Sequence, residues 1–162
     1  MKTLSLALLM LPSFAVSQDV NYHWFMRTPQ VVNWNMTDKE LGHASLVSTG
    51  VGASYRSVFT ELGAYVSNES LYGVYSFSGT NLSSKQLDER WALDTNLFGT
   101  VMFSPAQEGN VHSWTYTGGM FFYVRHSTEW GTFGFPLVFG IAYTKPTVSF
   151  TTQVMFNFTV GL

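Results

Sequence analysis

The 162-residue chain contains no cysteine, few charged residues and no long apolar run after residue 17. Without cysteine it cannot be a small secreted domain stabilised by disulfides, and no thiolate zinc site can form. Charged residues make up 11% of the chain and aromatic residues 17%, a balance that excludes intrinsic disorder and a charge-coated soluble surface. With 8 Lys and Arg against 10 Asp and Glu, no basic surface is available for phosphates, so we expect no nucleic-acid partner.

The first 17 residues have the composition of an export signal. Lys2 precedes the apolar run Leu4–Phe14, and Ala15-Val16-Ser17 places small residues where signal peptidase cleaves. An apolar run of about 11 residues is much shorter than the roughly 20 needed to span a bilayer as a helix. We therefore predict a cleaved signal peptide over 1–17, followed by a periplasmic lead-in over 18–30, with an extra strand as the alternative for that segment.

Beyond the lead-in, apolar residues alternate with small or polar ones, which is the period of β-strands. The pattern is clearest in the segments that begin at Trp91, His112, Phe133 and Val148. Shorter and weaker segments cover 31–36, 46–55, 58–66 and 71–78. The sequence therefore predicts an all-β domain of about eight strands over 31–162.

The apolar face of the later strands carries more bulky side chains than the interior of a closed eight-stranded barrel can hold. The opposite face carries small residues, among them Gly134, Pro136, Gly140 and Ala142. We considered a soluble sandwich or lipocalin-like barrel, in which large apolar side chains would point inward. Because the apolar face fits only on the outside, we predict that it contacts lipid and that the sheet closes to leave no unpaired edge. The predicted fold is an antiparallel up-and-down transmembrane β-barrel.

Aromatic residues on the apolar face lie near the strand ends, where membrane barrels carry interfacial girdles. The residues that we assign to a lipid-facing girdle are Trp91, Phe103, Trp114, Phe133, Tyr143 and Phe158. Polar residues on the inward face must pair with one another if they are buried. We predict an interior polar network of Glu61, Asp94, Arg125 and Arg56, which fills the barrel, with a narrow conduction path or polar ligand site as the alternative.

The chain resembles the small eight-stranded outer-membrane β-barrel proteins of Gram-negative bacteria. The most specific element is the alternating C-terminal segment Phe156–Leu162, although such proteins more typically end on Phe. The resemblance implies export, insertion by the barrel insertion machinery and contact with outer-membrane lipid and lipopolysaccharide. On this strand count, loops Thr37–His43, Ser104–Asn110 and Thr144–Thr147 face outward and could bind an extracellular ligand, whereas Gly79–Arg90 is an unusually long periplasmic connection.

Two enzymatic interpretations compete with a structural role. His126, Ser127 and Glu129 combine a base, a hydroxyl and a carboxylate near one strand end, and resemble the His-x-Ser pattern of lipid A deacylases except that Thr128 follows Ser127.

The segment Trp130–Phe150, with Pro136 and Pro146, resembles part of the lipid A palmitoyltransferases (PagP), in which prolines interrupt the strand ladder. That resemblance implies an acyl-chain cavity lined by Pro136, Val138, Gly140 and Ala142, yet no Asp-Ser dipeptide is present to match the catalytic pair of that family. We therefore expect a structural or surface-interaction role without cofactor or metal, and a lipid A acyltransferase or deacylase as the alternative.

Overall fold

The computed structural model describes residues 20–68, 72–106 and 112–162, so the predicted signal peptide over 1–17 lies outside the described residues. These residues form a single closed antiparallel barrel in which each strand pairs with its neighbours in sequence and the last pairs with the first. The eight strands are β1 (Val20–Asn35), β2 (Leu41–Tyr55), β3 (Val58–Ser67), β4 (Tyr72–Gln86), β5 (Trp91–Ser104), β6 (Ser113–Thr128), β7 (Gly131–Thr144) and β8 (Thr147–Gly161). Within the described ranges, no helix is long and apolar enough to cross a membrane.

The barrel begins at Val20, so most of the segment predicted as a lead-in over 18–30 is strand β1. This strand pairs with β2 from Val20 to Trp34, except at two positions, and with β8 from His23 to Asn35. The period was hard to recognise because the inward positions of this strand include His23 and Arg27, which interrupt the apolar pattern. The number of strands remains eight, since the lead-in and the weak segment 31–36 are one element.

Strand β4 is longer than the sequence indicated, and this removes the long connection predicted over Gly79–Arg90. Its pairing with β5 shifts register between Asn81 and Ser83 and then continues to Gln86. A β-bulge of this kind displaces the alternation by one residue, so a search for strict period two ends at the bulge. Only residues 87–90 connect β4 to β5. The loop predicted as Thr37–His43 is also shorter, because β2 begins at Leu41.

The alternation predicted for the later strands matches the burial pattern. Outward positions are apolar and exposed, with Ile141 at 56% and Val154 at 56% of their maximum, whereas inward Val138 is 4% exposed. The same division holds on β2 and β3, where Val47, Val51, Leu62 and Val66 are exposed to similar extents. The outer surface of the described barrel is therefore predominantly aliphatic and aromatic.

Several aromatic rings nevertheless point into the barrel, although the bulk argument favoured the outside for such side chains. Inward glycines provide the space: a Cβ at Gly63 would lie 2.8 Å from the ring of Tyr75, and a Cβ at Gly73 would lie 2.9 Å from the ring of Tyr65. The same relation joins Phe25 to Gly50, Phe59 to Gly79 and Tyr123 to Gly134. At these five positions an inward ring packs over a neighbouring strand where a glycine has no side chain, so small and large residues together fill the interior.

The stagger of the strands determines the width of the barrel. The hydrogen-bonded register can be followed around the barrel from His23 through Gly52, Glu61, Phe77, Thr100, Thr117, Ala142 and Ser149 to Asn35. The path returns to β1 displaced by 35 − 23 = 12 residues. With standard strand spacings, this stagger over eight strands corresponds to a tilt of about 46° and a backbone radius of about 9 Å. An interior of that width can hold side chains and, in addition, one small ligand.

The two ends of the barrel differ. Both ends of the described chain lie at one end, together with the connections 56–57, 87–90 and 129–130, and we call this the terminus side. The opposite end carries the connections 36–40 and 145–146, the last residues of β3 and β5 and the first residues of β4 and β6, and we call it the loop side. These names are used below for the corresponding halves of the barrel interior, the lumen.

Candidate functional site: the barrel lumen

The central charged group of the lumen is an ion pair between Arg27 and Glu61. Both guanidinium nitrogens contact the carboxylate, with Nη1 2.6 Å from Oε2 and Nη2 donating to Oε1 at 2.7 Å. His23 Nε2 lies 3.1 Å from Oε1 of the same carboxylate. The side chains of Arg27 and Glu61 are only 14% and 6% exposed. One of the two contacts, Nη2 to Oε1, is also a hydrogen bond, and the ion pair joins β1 to β3 across the intervening β2.

Arg27 also joins the pair to the neighbouring strand β8 and, through it, to β6. Its Nε donates to Asn157 Oδ1 at 2.9 Å, and Asn157 Nδ2 donates to the Tyr123 hydroxyl at 2.8 Å. The guanidinium carbon lies 4.4 Å from the ring centroid of Phe25 and 5.2 Å from that of Phe77. The charge of Arg27 is therefore met by a carboxylate, an amide and two aromatic faces, which compensates for its burial.

A second ion pair lies at the terminus side. Arg125 Nε donates to Asp94 Oδ2 at 2.7 Å across the paired strands β5 and β6, and Arg125 Nη1 lies 3.4 Å from the Ser127 hydroxyl. The Arg125 side chain is 32% exposed and that of Asp94 10%. Glu61, Asp94 and Arg125, which the sequence analysis placed in one interior network, belong to two separate ion pairs in the structure.

Arg56 lines the lumen cavity but belongs to neither ion pair, which corrects its assignment to the network. It lies in the two-residue turn between β2 and β3 with a φ of 53°, and it is exposed. Its guanidinium carbon lies 5.1 Å from the ring centroid of Tyr55. The residue that pairs with Glu61 is Arg27, which the sequence analysis missed because it fell within the predicted lead-in. The signal that could have found it is the inward series His23, Phe25, Arg27, since outward Tyr22, Trp24 and Met26 alternate with it.

Phenylalanine rings fill the lumen between these polar groups. Phe59, Phe77 and Phe98 stack in a row, with centroids 5.5 and 5.4 Å apart and interplanar angles of 25° and 26°. Phe121 meets the edges of Phe59 and Phe98 at 6.0 Å in both cases. We call these four rings the phenylalanine cluster. Together with Val138 and Met155 it forms the packed apolar core of the described chain.

The remaining lumen contains a cavity of about 640 Å³. Side chains from all eight strands line it, including the ion pair Arg27–Glu61 and the phenylalanine cluster. Its volume lies within the range of small-molecule sites. The acyl-cavity residues that the PagP resemblance implied lie inward on β7, and Pro136, Val138 and Ala142 line this cavity.

Two prolines interrupt the barrel ladder. Pairing between β1 and β2 is missing at Thr28 and Pro29, and pairing between β7 and β8 is missing at Phe135 and Pro136. Proline has no N–H to donate, so an interruption at these positions follows from its chemistry. Pro146 lies in the turn before β8 and has no such effect.

The structure does not assemble His126, Ser127 and Glu129 into a catalytic group. Arg125 and Ser127 point inward, whereas His126 lies on the outer face, where its ring is 4.5 Å from that of Trp91. Glu129 lies in the exposed turn between β6 and β7. Because adjacent residues of a strand project to opposite faces, His126 cannot act as the base for Ser127 without a change of register.

The six aromatic residues assigned to a girdle all lie on outward positions and form two groups. Phe103 and Trp114 are 4.8 Å apart, close to Tyr143, and lie on the loop side. Phe133 and Phe158 stack at 4.7 Å on the terminus side, where Trp91 also lies. Trp24 of β1, which fell in the predicted lead-in, meets the edge of Phe158 at 6.3 Å and joins the second group.

The turn between β4 and β5 contains one carboxylate in an ordered polar setting. Asp88 Oδ1 accepts hydrogen bonds from the backbone N–H groups of Arg90 and Trp91, each at 2.8 Å. These two bonds lower the pKa of the Asp88 carboxyl below its ordinary value, because they stabilise the ionised form. Asp88 therefore fixes the turn as long as it carries its charge.

Comparison with known proteins shows which solved structures share this fold. No protein-family model and no curated protein matches the chain. The crystal structure of Neisserial surface protein A (NspA) matches with a TM-score of 0.57 at 8% identity, covering 86% of this chain and 96% of that one. A de novo designed transmembrane β-barrel has 13% identity and a TM-score of 0.39, covering 82% of this chain and 94% of that one. The chain is thus an all-β, closed eight-stranded antiparallel barrel with the fold of membrane β-barrels such as NspA.

Proposed function

We propose that the chain is an integral outer-membrane β-barrel of a Gram-negative bacterium, exported by the signal peptide over 1–17, with a structural or surface-interaction role. The observation that carries this proposal is the combination of a closed barrel with an apolar outer face. Val51, Leu62, Ile141 and Val154 are each more than half exposed on that face. Such a surface would aggregate in water, whereas in lipid it is favourable and the closed ladder leaves no strand edge unpaired.

The two aromatic groups support the same placement. Aromatic side chains at both ends of an apolar band are typical of barrels that span a bilayer, because their rings prefer the headgroup region. We propose that the loop side faces the exterior and the terminus side the periplasm. Lipid and lipopolysaccharide would then contact the outer face, and a surface partner would contact the loops, where Asp38, Lys39, Glu40 and Lys145 supply exposed polar groups.

The filled lumen favours a non-conducting barrel over a porin. The Arg27–Glu61 pair, on β1 and β3, and the phenylalanine cluster, on β3 to β6, project into the lumen at mid-barrel and narrow the cavity that continues around them. An ion crossing this level would lose part of its water among aromatic rings and a neutralised ion pair, which is unfavourable. We expect the purified protein in planar bilayers to show no steady single-channel conductance above the leak of a protein-free membrane.

Two measurements test the proposal directly. The full chain, expressed in a Gram-negative host, is fractionated into soluble and outer-membrane material, and the membrane fraction is run on a detergent gel with and without boiling. We expect recovery in the outer membrane and faster migration without boiling, because a closed barrel resists unfolding by the detergent. A protein that stays in the soluble fraction without detergent would overturn the membrane assignment, and stable conductance would overturn the non-conducting role.

The lipid A enzyme alternative is tested by mass spectrometry of lipid A. Lipid A is extracted from cells that do and do not express the chain, and the numbers of acyl groups are compared. We expect identical spectra, since His126 and Ser127 lie on opposite faces of β6. A gain or loss of one acyl group that depends on the chain would replace the structural role with an enzymatic one.

A further inference from the structure

The two halves of the lumen differ in their chemistry. Among the described residues, the charged and imidazole side chains that line the cavity or pair beside it are His23, Arg27, Arg56, Glu61, Asp94 and Arg125, and each lies at mid-barrel or toward the terminus side. In the loop-side half, the described residues that line the cavity include no Asp, Glu, Lys, Arg or His. Hydroxyl groups of Thr100, Thr117 and Thr151 alternate there with apolar Val31, Met102 and Ala142.

The phenylalanine cluster and the Arg27–Glu61 pair lie at the inner end of the loop-side half. Because Arg27 and Glu61 neutralise each other, the pair has no net charge to attract a charged molecule, although Glu61 Oε2 makes no hydrogen bond of its own among the described residues. An ion that entered from the loop side would lose hydration without meeting an opposite free charge. The loop-side half of the cavity therefore discriminates against charged molecules and admits uncharged ones.

Thr151 adds a specific requirement for a polar group. Its side chain lines the cavity, the residue is 1% exposed, and its Oγ1 has no hydrogen-bond partner among the described residues. A buried hydroxyl without a partner is unfavourable, and a molecule that bonds to it would remove that penalty. The neighbouring hydroxyls show the contrast, because Thr115 bonds to Thr144 at 2.6 Å and Tyr65 bonds to Ser104.

We propose that the loop-side half of the lumen is a binding pocket for a small uncharged molecule with one hydrogen-bonding group and an apolar body. The polar group bonds to the Thr151 hydroxyl, and the apolar body packs against Val31, Met102 and the phenylalanine cluster. The proposal goes beyond the structural role argued above and does not depend on it, because the pocket belongs to the barrel in any membrane.

Methionine methyl NMR of the full barrel in lipid nanodiscs tests this pocket with three probes of equal size. The probes are benzyl alcohol, benzoate and benzylammonium, which differ chiefly in charge. Met102 points into the loop-side lumen, whereas Met120 lies on the outer face and reports partitioning of the probe into lipid. We expect benzyl alcohol to shift the Met102 methyl signal to saturation, while the Met120 signal changes only in proportion to concentration. Benzoate and benzylammonium should leave Met102 unchanged.

A matched pair of variants separates the hydroxyl from the fold. Thr151→Val removes the inward hydroxyl at nearly constant volume and should weaken benzyl alcohol binding roughly three- to tenfold, the loss of one hydrogen bond. Thr152→Val changes the next residue, which faces outward, and should leave the affinity unchanged. Thr151→Ser keeps the hydroxyl and should bind as the unmodified chain does. The proposal is overturned if Met102 shows no saturable shift, if the charged probes bind equally well, or if Thr151→Val retains full affinity.

Discussion

Removing one partner of the Arg27–Glu61 pair is expected to destabilise the barrel more than removing both. Arg27→Met leaves the Glu61 carboxylate, whose side chain is 6% exposed, without its counter-charge and with His23 as its remaining partner. Leaving one charge of a buried pair without its counter-charge costs about 3–5 kcal/mol. Glu61→Leu leaves the Arg27 guanidinium without its counter-charge, with Asn157 as a remaining partner, and we expect a similar loss of unfolding free energy.

The double variant Arg27→Met with Glu61→Leu contains neither charge. What it loses is the hydrogen bond of His23 to the carboxylate and that of Asn157 to the guanidinium, each with a net value of about 0.5–1.5 kcal/mol. The expected cost is therefore about 1–3 kcal/mol, against about 6–10 kcal/mol if the two single effects were additive. The difference between the double-variant cost and the sum of the single-variant costs reports how far water is excluded from the lumen at the ion pair.

The assay is equilibrium unfolding in urea after refolding into phosphatidylcholine vesicles, followed by the fluorescence of the five tryptophans. Thr28→Met serves as the matched control, because it alters the next residue of β1 on the outer face and should change the unfolding free energy by no more than about 0.5 kcal/mol. Single-variant costs below about 1 kcal/mol would mean that the pair behaves as a hydrated surface pair. A double-variant cost equal to the sum of the singles would show that the two charges are not coupled, and either result refutes the reasoning.

Three further predictions concern other parts of the barrel. Arg125→Leu should cost about 1–2 kcal/mol in the same assay, less than Arg27→Met, because the Arg125 side chain is 32% exposed and water screens its pair with Asp94. Gly50→Ala should cost at least about 3 kcal/mol, since the added Cβ would overlap the backbone of β3, whereas Gly99→Ala, with nothing within 4 Å, should be neutral or stabilising by up to about 1 kcal/mol. Asp88→Ala should be less stable than the unmodified chain at neutral pH, and the difference should disappear as the pH falls below about 4, because the lowered pKa of Asp88 stabilises the fold only while the carboxyl is ionised. A difference between the two proteins that persists at pH 2 would contradict this role of the charge.

The later strands could be predicted from sequence because burial alone determines their pattern. On β7, for example, every second residue from Phe133 to Tyr143 is large and apolar, and the residues between them are small. Such a strand has one face that suits lipid and one face small enough for the crowded interior, so its orientation in the barrel follows from the pattern. The closed barrel follows from the requirement that all backbone groups be paired.

The first strand and the network partner could not be predicted in the same way. Arg27 occupies an inward position because Glu61, 34 residues away in sequence, supplies its counter-charge. Neither residue alone indicates that pairing, and an arginine within an apolar segment suggests the end of a strand. The bulge at Asn81 had a similar effect, since it inverts the alternation that identifies β4.

Gly134 was recognised as a small inward residue, but not as a site of packing. That Tyr123 covers it depends on a diagonal neighbour on the adjacent strand, which only the register specifies. The sequence pattern therefore indicated which face of a strand is inward, but it did not indicate how many large side chains the lumen holds.

The pairing of β1 with β8 has a consequence for the time course of assembly. His23 and Gly161 are neighbours in the ladder although 161 − 23 = 138 residues separate them in the chain. Contacts between residues so far apart form slowly, because the intervening chain loses much of its freedom when they meet. Until that last contact forms, the unpaired edges of β1 and β8 remain available to other chains. A newly made chain is thus vulnerable to aggregation until β8 has paired with β1.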